Sequence, residues 1–304
     1  MGILKHVNTI VTHHQPHLDE ISAIWLILRF GTEIFPGVES AEIISTKSGG
    51  EELNGTPEKL EEDGFLLIGI GGGRFDEHPG GKSKGVEGKC CFDLVLEAMG
   101  LQDDLSFSQI IRFVRNTDLK GVSQPFDLAS LVKAMNAKYP DPEMVIDWTM
   151  KILDAKYDQQ VSFLRAKEAL EKTATRYEIS KGDKTLTLMV GKTDDKEFSK
   201  ACRANGAAVV IQQWQRGNVM IFTNKSKEVK LGTVVGRIRK EEQGFSGKPK
   251  GQEDLFAEGS ILGWYYHTEG QMLLNGSIGH SEIPPTKISL ERIIDIVRYN
   301  IKVS

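Results

Sequence analysis

The chain has 304 residues, and 38 Lys plus Arg against 42 Asp plus Glu give a formal net charge of −4 with neutral histidines. This balance excludes a strongly basic protein that coats nucleic acid without sequence preference. With 39% hydrophobic and 26% charged residues the composition is globular, and the length favours two domains. The longest apolar stretch, residues 23–28, is far shorter than the ~20 residues that cross a bilayer. The three cysteines, two of them adjacent, favour a reducing compartment, so we expect a cytoplasmic protein.

The first half of the chain alternates apolar runs with segments of helical periodicity. The pattern predicts strands at 8–12, 41–45 and 65–70, and helices at 19–30, 90–99, 106–116 and 126–138. Such alternation is typical of an α/β domain with a parallel sheet.

A helical, heavily charged pattern follows from residue 142 to about 177 and predicts a long connector between domains. Beyond it the sequence predicts strands at 184–191, 207–213 and 218–224, and the glycine- and charge-rich segment 240–258 predicts a flexible loop. We therefore predict an N-terminal domain over 1–140, a helical connector over 141–178 and a smaller α+β domain over 179–304.

Three histidines fall within five positions, His13, His14 and His17, and two acids, Asp19 and Glu20, follow them. The segment joins a predicted strand to a predicted helix, so it lies at the carboxyl end of a strand, where open α/β sheets place their sites. Imidazole and carboxylate together suit Mn, Zn or Fe better than Ca or Mg. The residues therefore predict a metal site, and the alternative is a solvated loop in which an acid caps the helix.

A second polar group follows the strand predicted at 65–70. Three glycines precede Arg74, and the triplet Asp76-Glu77-His78 comes next. The spacing fits neither a dinucleotide-binding fingerprint nor a P-loop. The glycines and lysines of 80–85, Lys82 and Lys84 among them, favour either a phosphate cradle or a mobile basic loop.

With Asp118, which follows a predicted helix, these segments resemble the DHH phosphoesterase superfamily, and most closely its Myg-type branch of metal-dependent hydrolases and exonucleases. The resemblance covers residues 8 to about 125, with a weaker similarity at 274–280. It implies a set of metal ligands, namely His13, His17, Asp19, Asp76, Glu77 and Asp118. It also implies His78 and Arg74 as catalytic residues, and substrate binding by Asn275, Gly276 and His280 in the second domain.

The resemblance implies a metal-dependent phosphoesterase that hydrolyses a phosphodiester or phosphate ester of a nucleotide, a short oligonucleotide or a nucleic-acid end. A divalent metal, Mn in the first place and Mg, Zn or Fe as alternatives, would lower the pKa of a bound water for attack on phosphorus. The implied partner is a nucleotide or short single-stranded nucleic acid. We expect no membrane partner, and a homodimer stays open.

Two positions depart from the superfamily's pattern. Gly69 stands where a bridging Asp is expected, and Glu77 replaces the middle histidine of the triplet. These departures support an alternative, a non-catalytic member of the same fold that binds a nucleotide or a partner. A metal-dependent hydrolase of something other than a phosphate ester is a third hypothesis.

Overall fold

The computed structural model describes residues 6–46, 53–78, 88–246, 254–277, 280 and 282–303. The chain forms two compact units, Met1–Val161 and Ser162–Ser304, so the boundary falls inside the segment predicted as a helical connector. The division at residues 140 and 178 stays a prediction. Lys82 and Lys84 lie outside the described residues.

The first unit is built around a small parallel sheet. Its strands are β1 (Thr9–His13), β2 (Glu42–Thr46) and β3 (Phe65–Leu67), and its helices are α1 (Leu18–Phe30), α2 (Pro57–Glu62), α3 (Cys91–Ala98), α4 (Ser108–Asp118), α5 (Leu128–Lys138) and most of α6 (Pro142–Glu168). The strand order is β2-β1-β3, and Thr9 pairs with both Glu42 and Phe65. Because parallel strands end at the same edge, His13, Thr46 and the chain after Leu67 meet there.

Alternation along β1 sends its side chains into two apolar clusters. Ile10 packs in the cluster that contains Trp25 of α1 and Phe92 of α3, whereas Val11 packs with Leu60 of α2. Successive side chains of a strand point to opposite faces, so both faces of the sheet are covered. This packing fixes β1 as the central strand and holds its carboxyl end in place for the polar residues that follow.

The second unit contains a seven-stranded mixed sheet of order β4-β5-β6-β7-β11-β10-β9 and a two-stranded pair, β8 and β12. The strands are β4 (Ala174–Lys181), β5 (Lys184–Lys192), β6 (Val209–Gln213), β7 (Val219–Thr223), β8 (Val229–Lys230), β9 (Gly259–Ile261), β10 (Trp264–His267), β11 (Met272–Asn275) and β12 (Lys302–Val303). Its helices after α6 are α7 (Leu170–Thr173), α8 (Phe198–Ala204), α9 (Gly232–Ser246) and α10 (Leu290–Asn300). Strands β5 and β6 are parallel, and the other neighbours in the sheet are antiparallel.

Two expectations for this region are wrong. The long helix ends at Glu168 and not near 177, because residues 174–181 form strand β4, which pairs with β5 across a turn where Gly182 has φ of +58°. A hairpin with eight paired positions satisfies more backbone groups than a helix end exposed to solvent. The segment 240–258 is also helical as far as Ser246 in α9, and residues 247–253 lie outside the described part of the chain.

The mixed α/β class, the parallel sheet near the N-terminus and the long helix α6 confirm the coarse fold prediction. Trp264 and Tyr266 of β10 are buried in the second unit's core, where large aromatic side chains contribute much apolar area. Among the described residues, no helix combines the length and apolar character that crossing a membrane requires.

Candidate functional site

All the predicted histidines and acids of the first unit except Asp19 and Asp76 line one cleft at the carboxyl edge of the parallel sheet. The cleft has a volume of about 600 Å³. Apart from Leu119, its lining residues all have polar side chains; they are His13, His14, Gln15, His17, Glu20, Thr46, Glu77, His78, Lys89 and Asp118. These residues come from the carboxyl ends of β1 and β2, the loops after β1 and β3, helix α1, the segment before α3 and the end of α4. The topology thus brings together segments that are distant in sequence.

His13 is held by a buried carboxylate. Its Nδ1 lies 2.9 Å from Oε1 of Glu20, while Oε2 of the same carboxylate accepts a hydrogen bond from the backbone N–H of His17 at 2.8 Å. The Glu20 side chain is only 3% exposed. Burial alone would raise its pKa, but the hydrogen bond from His13 and the nearby His17 lower it overall. An ionised carboxylate only accepts, so Nδ1 of His13 carries the proton and Nε2 keeps its lone pair in the neutral ring.

His78 has an equivalent arrangement on the other side of the cleft. Its Nδ1 lies 2.9 Å from Oδ1 of Asp76, and its backbone N–H donates to the same oxygen at 3.0 Å. Oδ2 of Asp76 accepts from the backbone N–H of Gly72 at 2.7 Å. The ring centroids of His13 and His78 are 6.0 Å apart. No described residue bonds Nε2 of either imidazole, so both rings keep the nitrogen that a metal would take.

Carboxylates crowd the space beside these rings. Oε2 of Glu77 is buried and has no hydrogen-bond partner among the described residues. Burial raises the pKa of Glu77. A backbone hydrogen bond and the charge of His78 oppose this shift, whereas the charges of Glu20 and Asp76 add to it. Burial and the charge of Glu20 also raise the pKa of Asp118. Like charges that destabilise one another in this way are stabilised by a cation.

The carboxylates of the cleft also affect His13. The hydrogen bond to Glu20 raises the pKa of His13, and burial only partly opposes it. His17, which the sequence also predicts as a ligand, lines the cleft with 76% of its side chain exposed, and its Nδ1 is 3.9 Å from Oε2 of Glu20. His17 therefore lies at the mouth of the cleft.

Asp19 has a structural role that the sequence analysis did not foresee. Its two oxygens accept hydrogen bonds from the backbone N–H groups of Cys91 and Phe92 at 2.8 and 2.9 Å, so it caps the N-terminus of α3 from another helix. Burial first, and then the charges of Glu20 and Asp118, raise its pKa well above the usual value. The carboxylate thus lies under the cleft and not in its lining.

Arg74 does not line the cleft, although the resemblance implies it as a catalytic residue. Its guanidinium donates to both carboxylate oxygens of Glu61 on α2, at 3.1 and 2.8 Å. This bidentate pair joins α2 to the loop after β3. The position of α2 decides the partner of Arg74, and the sequence analysis did not predict that helix.

Gly69, where the resemblance requires a bridging Asp, has a local steric role. Its φ is +66°, and a Cβ at this position would lie 2.7 Å from Cγ of Glu20. The Glu20 side chain therefore occupies the space that a residue with a side chain at 69 would need.

The three residues predicted for substrate binding lie in the second unit and differ in their surroundings. Gly276 and His280 line a cavity of about 280 Å³ that also includes Tyr265 and Leu274. His280 is exposed, and its Nδ1 lies 3.0 Å from Glu282.

Asn275 is buried below that cavity, with its amide fully engaged. It donates to the carbonyl oxygens of Gly263 and Pro284 at 3.0 and 3.3 Å, and accepts from the backbone N–H of Thr286 at 2.8 Å. These bonds hold three chain segments together, so Asn275 supports the cavity from outside its lining.

Sequence reasoning missed several members of the cleft. Glu20 is one of the acids of the predicted metal site, but its contact with His13 was not predicted, although His17-x-x-Glu20 has the spacing of an N-cap residue and its N3 partner. Thr46 and Lys89 come from segments that carried no motif. Cys90 and Cys91, which lie next to Asp19, were considered only as a sign of the redox compartment.

The segment that forms the cleft is similar to a known protein domain. Residues 10–160 match the family model of the ChrB C-terminal domain. About half of the chain, including the whole cleft, is thus similar to the C-terminal domain of ChrB. No curated protein matches the chain. The crystal structure of an uncharacterized protein from Helicobacter pylori G27 aligns over 96% of this chain and 98% of its own, with 9% identity and a TM-score of 0.27.

The match to the ChrB model overturns the resemblance to DHH phosphoesterases and, with it, the expected phosphoesterase or nuclease function. The residues that suggested the resemblance are adjacent in space, but the spacing of a few histidines and acids is shared by unrelated metal sites. The position of Gly69 against Glu20 and the pairing of Arg74 with Glu61 agree with this correction, because neither residue has the surroundings that the resemblance required. The implied nucleotide or single-stranded nucleic-acid partner and the homodimer remain untested predictions.

Proposed function

We propose that the first unit binds a divalent transition metal in the cleft and works as a metal-dependent hydrolytic domain. The single observation that carries the proposal is the matched pair of imidazoles, His13 and His78. Each has its Nδ1 against a buried carboxylate and its Nε2 without a described partner. Metal-binding histidines commonly have this arrangement, because the carboxylate fixes the tautomer and makes the ligating nitrogen more basic.

The residues present fit a metal ion by charge as well as by donor type. Glu77 supplies an oxygen without a hydrogen bond, and Asp118 supplies a second carboxylate in the lining. Two imidazoles with carboxylate oxygens suit Zn, Fe or Mn better than Ca or Mg. When bound, the ion would supply a Lewis acid that lowers the pKa of a coordinated water.

The chain's own groups would then orient substrate and move the proton. An Asp118 carboxylate that stays outside the coordination shell of the ion would lie in the lining to accept a proton from a water molecule. His17 and Lys89 line the same cleft and supply hydrogen-bond donors for a polar substrate group. Lys89 also pairs with Glu97 at 2.7 Å, which restricts its position.

The similarity to the ChrB C-terminal domain favours chromate resistance as the process in which this centre works. The bare cleft is rich in carboxylates, so an oxyanion such as chromate would be repelled unless a cation were already bound. We therefore propose that metal binding precedes any contact with an anion in this cleft.

Two assays test the proposal. Zn²⁺- or Mn²⁺-loaded protein should hydrolyse an activated carboxylic ester such as nitrophenyl acetate, and both His13→Ala and His78→Ala should abolish the metal-dependent part. In a chromate-sensitive bacterial host, the wild-type gene should raise chromate tolerance. A gene that carries both His13→Ala and His78→Ala should not. Turnover that neither a chelator nor the variants affect would contradict the hydrolytic proposal. Equal tolerance with both genes would contradict the chromate proposal.

A further inference from the structure

The two adjacent cysteines at the start of α3 lie directly under the cleft. Cys90 and Cys91 are both completely buried and free. Ligand atoms of Asp19, Glu77 and Cys91 lie within 4.8 Å of one another, and those of Asp19, Cys90 and Asp118 do so as well. Asp76, Glu77 and His78 form a third such group. Glu77 belongs both to a thiol-containing group and to the group with His78, so the donors continue from the cleft to its floor.

We propose that Asp19, Glu77 and Cys91 form a metal position with a thiolate ligand at the floor of the cleft, and that the protein therefore selects a thiophilic ion such as Zn²⁺ over Mn²⁺ or Mg²⁺. The inference rests on the proposed metal-binding function and goes beyond it, because it names a sulfur ligand and the class of metal.

Free lone pairs on the carboxylates support this position. Oε2 of Glu77 is buried and lacks a described hydrogen-bond partner, which is costly unless a cation or donor meets it. Each oxygen of Asp19 accepts one backbone N–H, and a carboxylate oxygen has a second lone pair that remains for a metal.

The N-terminus of α3 supports the thiolate. Cys90 is the N-cap residue and Cys91 the first residue of this eight-residue helix. Burial, and then the charges of Asp19 and Glu77, raise the pKa of the Cys91 thiol well above its usual value, and the backbone dipole offsets part of this. On metal binding, the Cys91 thiol would release its proton to solvent as the sulfur–metal bond forms, so no oxidant or reductant takes part. Soft thiolate ligands favour Zn²⁺ over Mg²⁺ and Mn²⁺, whereas carboxylates and water alone favour the harder ions.

The test uses the full chain, stripped of metal and kept reduced with a phosphine that does not bind metals. Co²⁺ is titrated as the probe. Its visible bands report binding at the cleft, and a near-ultraviolet sulfur-to-cobalt charge-transfer band reports a thiolate ligand. We expect the charge-transfer band in the wild type and in Cys202→Ser, and its loss in Cys91→Ser. Cys202 is the matched control, because it is equally buried but packs in an apolar cluster with Phe198 and Val210.

Zn²⁺ affinity should fall by more than about tenfold in Cys91→Ser, while Mn²⁺ affinity changes less. X-ray absorption of the Zn²⁺-loaded wild type decides the matter even if the variant fails to fold, since a sulfur neighbour should appear at about 2.3 Å. Visible bands with no charge-transfer band, and Zn²⁺ with only nitrogen and oxygen neighbours, would overturn this inference and leave the metal cleft standing. Absence of any metal binding would overturn both.

Discussion

Replacing Glu20 with Gln tests how the cleft holds His13. Glu20 accepts two hydrogen bonds, from Nδ1 of His13 at 2.9 Å and from the backbone N–H of His17 at 2.8 Å. A Gln side chain has a single acceptor oxygen, so one of these donors loses its partner. The imidazole also loses the negative charge that fixes its tautomer and increases the basicity of Nε2.

The expected magnitude follows from this geometry. Loss of a carboxylate that orients a metal-binding histidine weakens metal affinity by roughly 10–100-fold, or about 1.4 to 2.7 kcal/mol. Because the side chain at position 20 is buried, the free energy of unfolding should also fall by about 1–3 kcal/mol from the unsatisfied donor. Zn²⁺ affinity should therefore be measured by competition with a chromophoric chelator, well below the melting temperature of the variant.

Glu61→Gln is the matched control. Glu61 is also a buried helical acid, and it forms a bidentate ion pair with Arg74, so this substitution also removes a charge-assisted contact. Glu61 does not line the cleft, so the Zn²⁺ affinity of the Glu61→Gln variant should equal that of the wild type. Equal affinity in Glu20→Gln and wild type, or an equal loss in both variants, would refute the assignment of Glu20 to the metal site.

Three further substitutions test the packing that supports the site and the second unit. Gly69→Ala should lower the free energy of unfolding by about 1–3 kcal/mol, and by more than Gly100→Ala does. Both glycines have a positive φ, but only a Cβ at position 69 would meet Glu20. Urea titration measures both variants, and equal losses of stability would argue against the steric role of Gly69. Asp127→Ala should cost about 1 kcal/mol at neutral pH, because Asp127 caps α5 by accepting from the N–H of Ser130. Burial acts to raise the pKa of Asp127, but hydrogen bonds from Gln124 and Ser130 lower it overall. The cap is therefore present at neutral pH and is lost as the pH falls through the folded-state pKa of Asp127. The melting temperatures of Asp127→Ala and wild type should converge in acid, and a difference that stays constant with pH would contradict this. Asn275→Ala should cost about 1–3 kcal/mol in chemical denaturation by leaving buried carbonyl and N–H groups without partners, and an unchanged midpoint would show that water replaces the amide.

Much of the first unit could be predicted from the sequence. Short apolar runs separated by helical patterns predicted the ends of β1, β2 and β3 to within three residues, and a parallel arrangement explains why His13, His78 and Asp118 meet. The polar clusters were informative because they follow apolar strands, and the carboxyl ends of parallel strands share an edge.

The rest depended on contacts between distant residues. Asp19 and Glu20 are neighbours in sequence, yet one caps α3 and the other holds His13, because successive helical positions point in different directions. The Arg74–Glu61 pair required the position of α2. Strand β4 was missed because a charged segment with mixed propensity gives no clear period, and pairing with β5 decides its conformation.

The histidines and acids of the cleft did not identify the family of the chain. Histidine and acid spacing located the cleft, but the same residue types serve many metal sites, so spacing could not decide which family or reaction the chain carries. The match of residues 10–160 to the ChrB C-terminal domain overturned the resemblance, while the side chains that meet in the cleft are the same.

The most direct test of the metal cleft is the metal content of the purified full chain, measured by elemental analysis after equilibration with Zn²⁺ and removal of free ion. The account predicts that the wild type retains Zn²⁺ and that a double variant, His13→Ala with His78→Ala, retains much less. A control double variant, His267→Ala with His280→Ala in the second unit, should retain as much as the wild type. Equal Zn²⁺ in all three proteins, or loss only in the control, would contradict the central claim that His13 and His78 hold the metal.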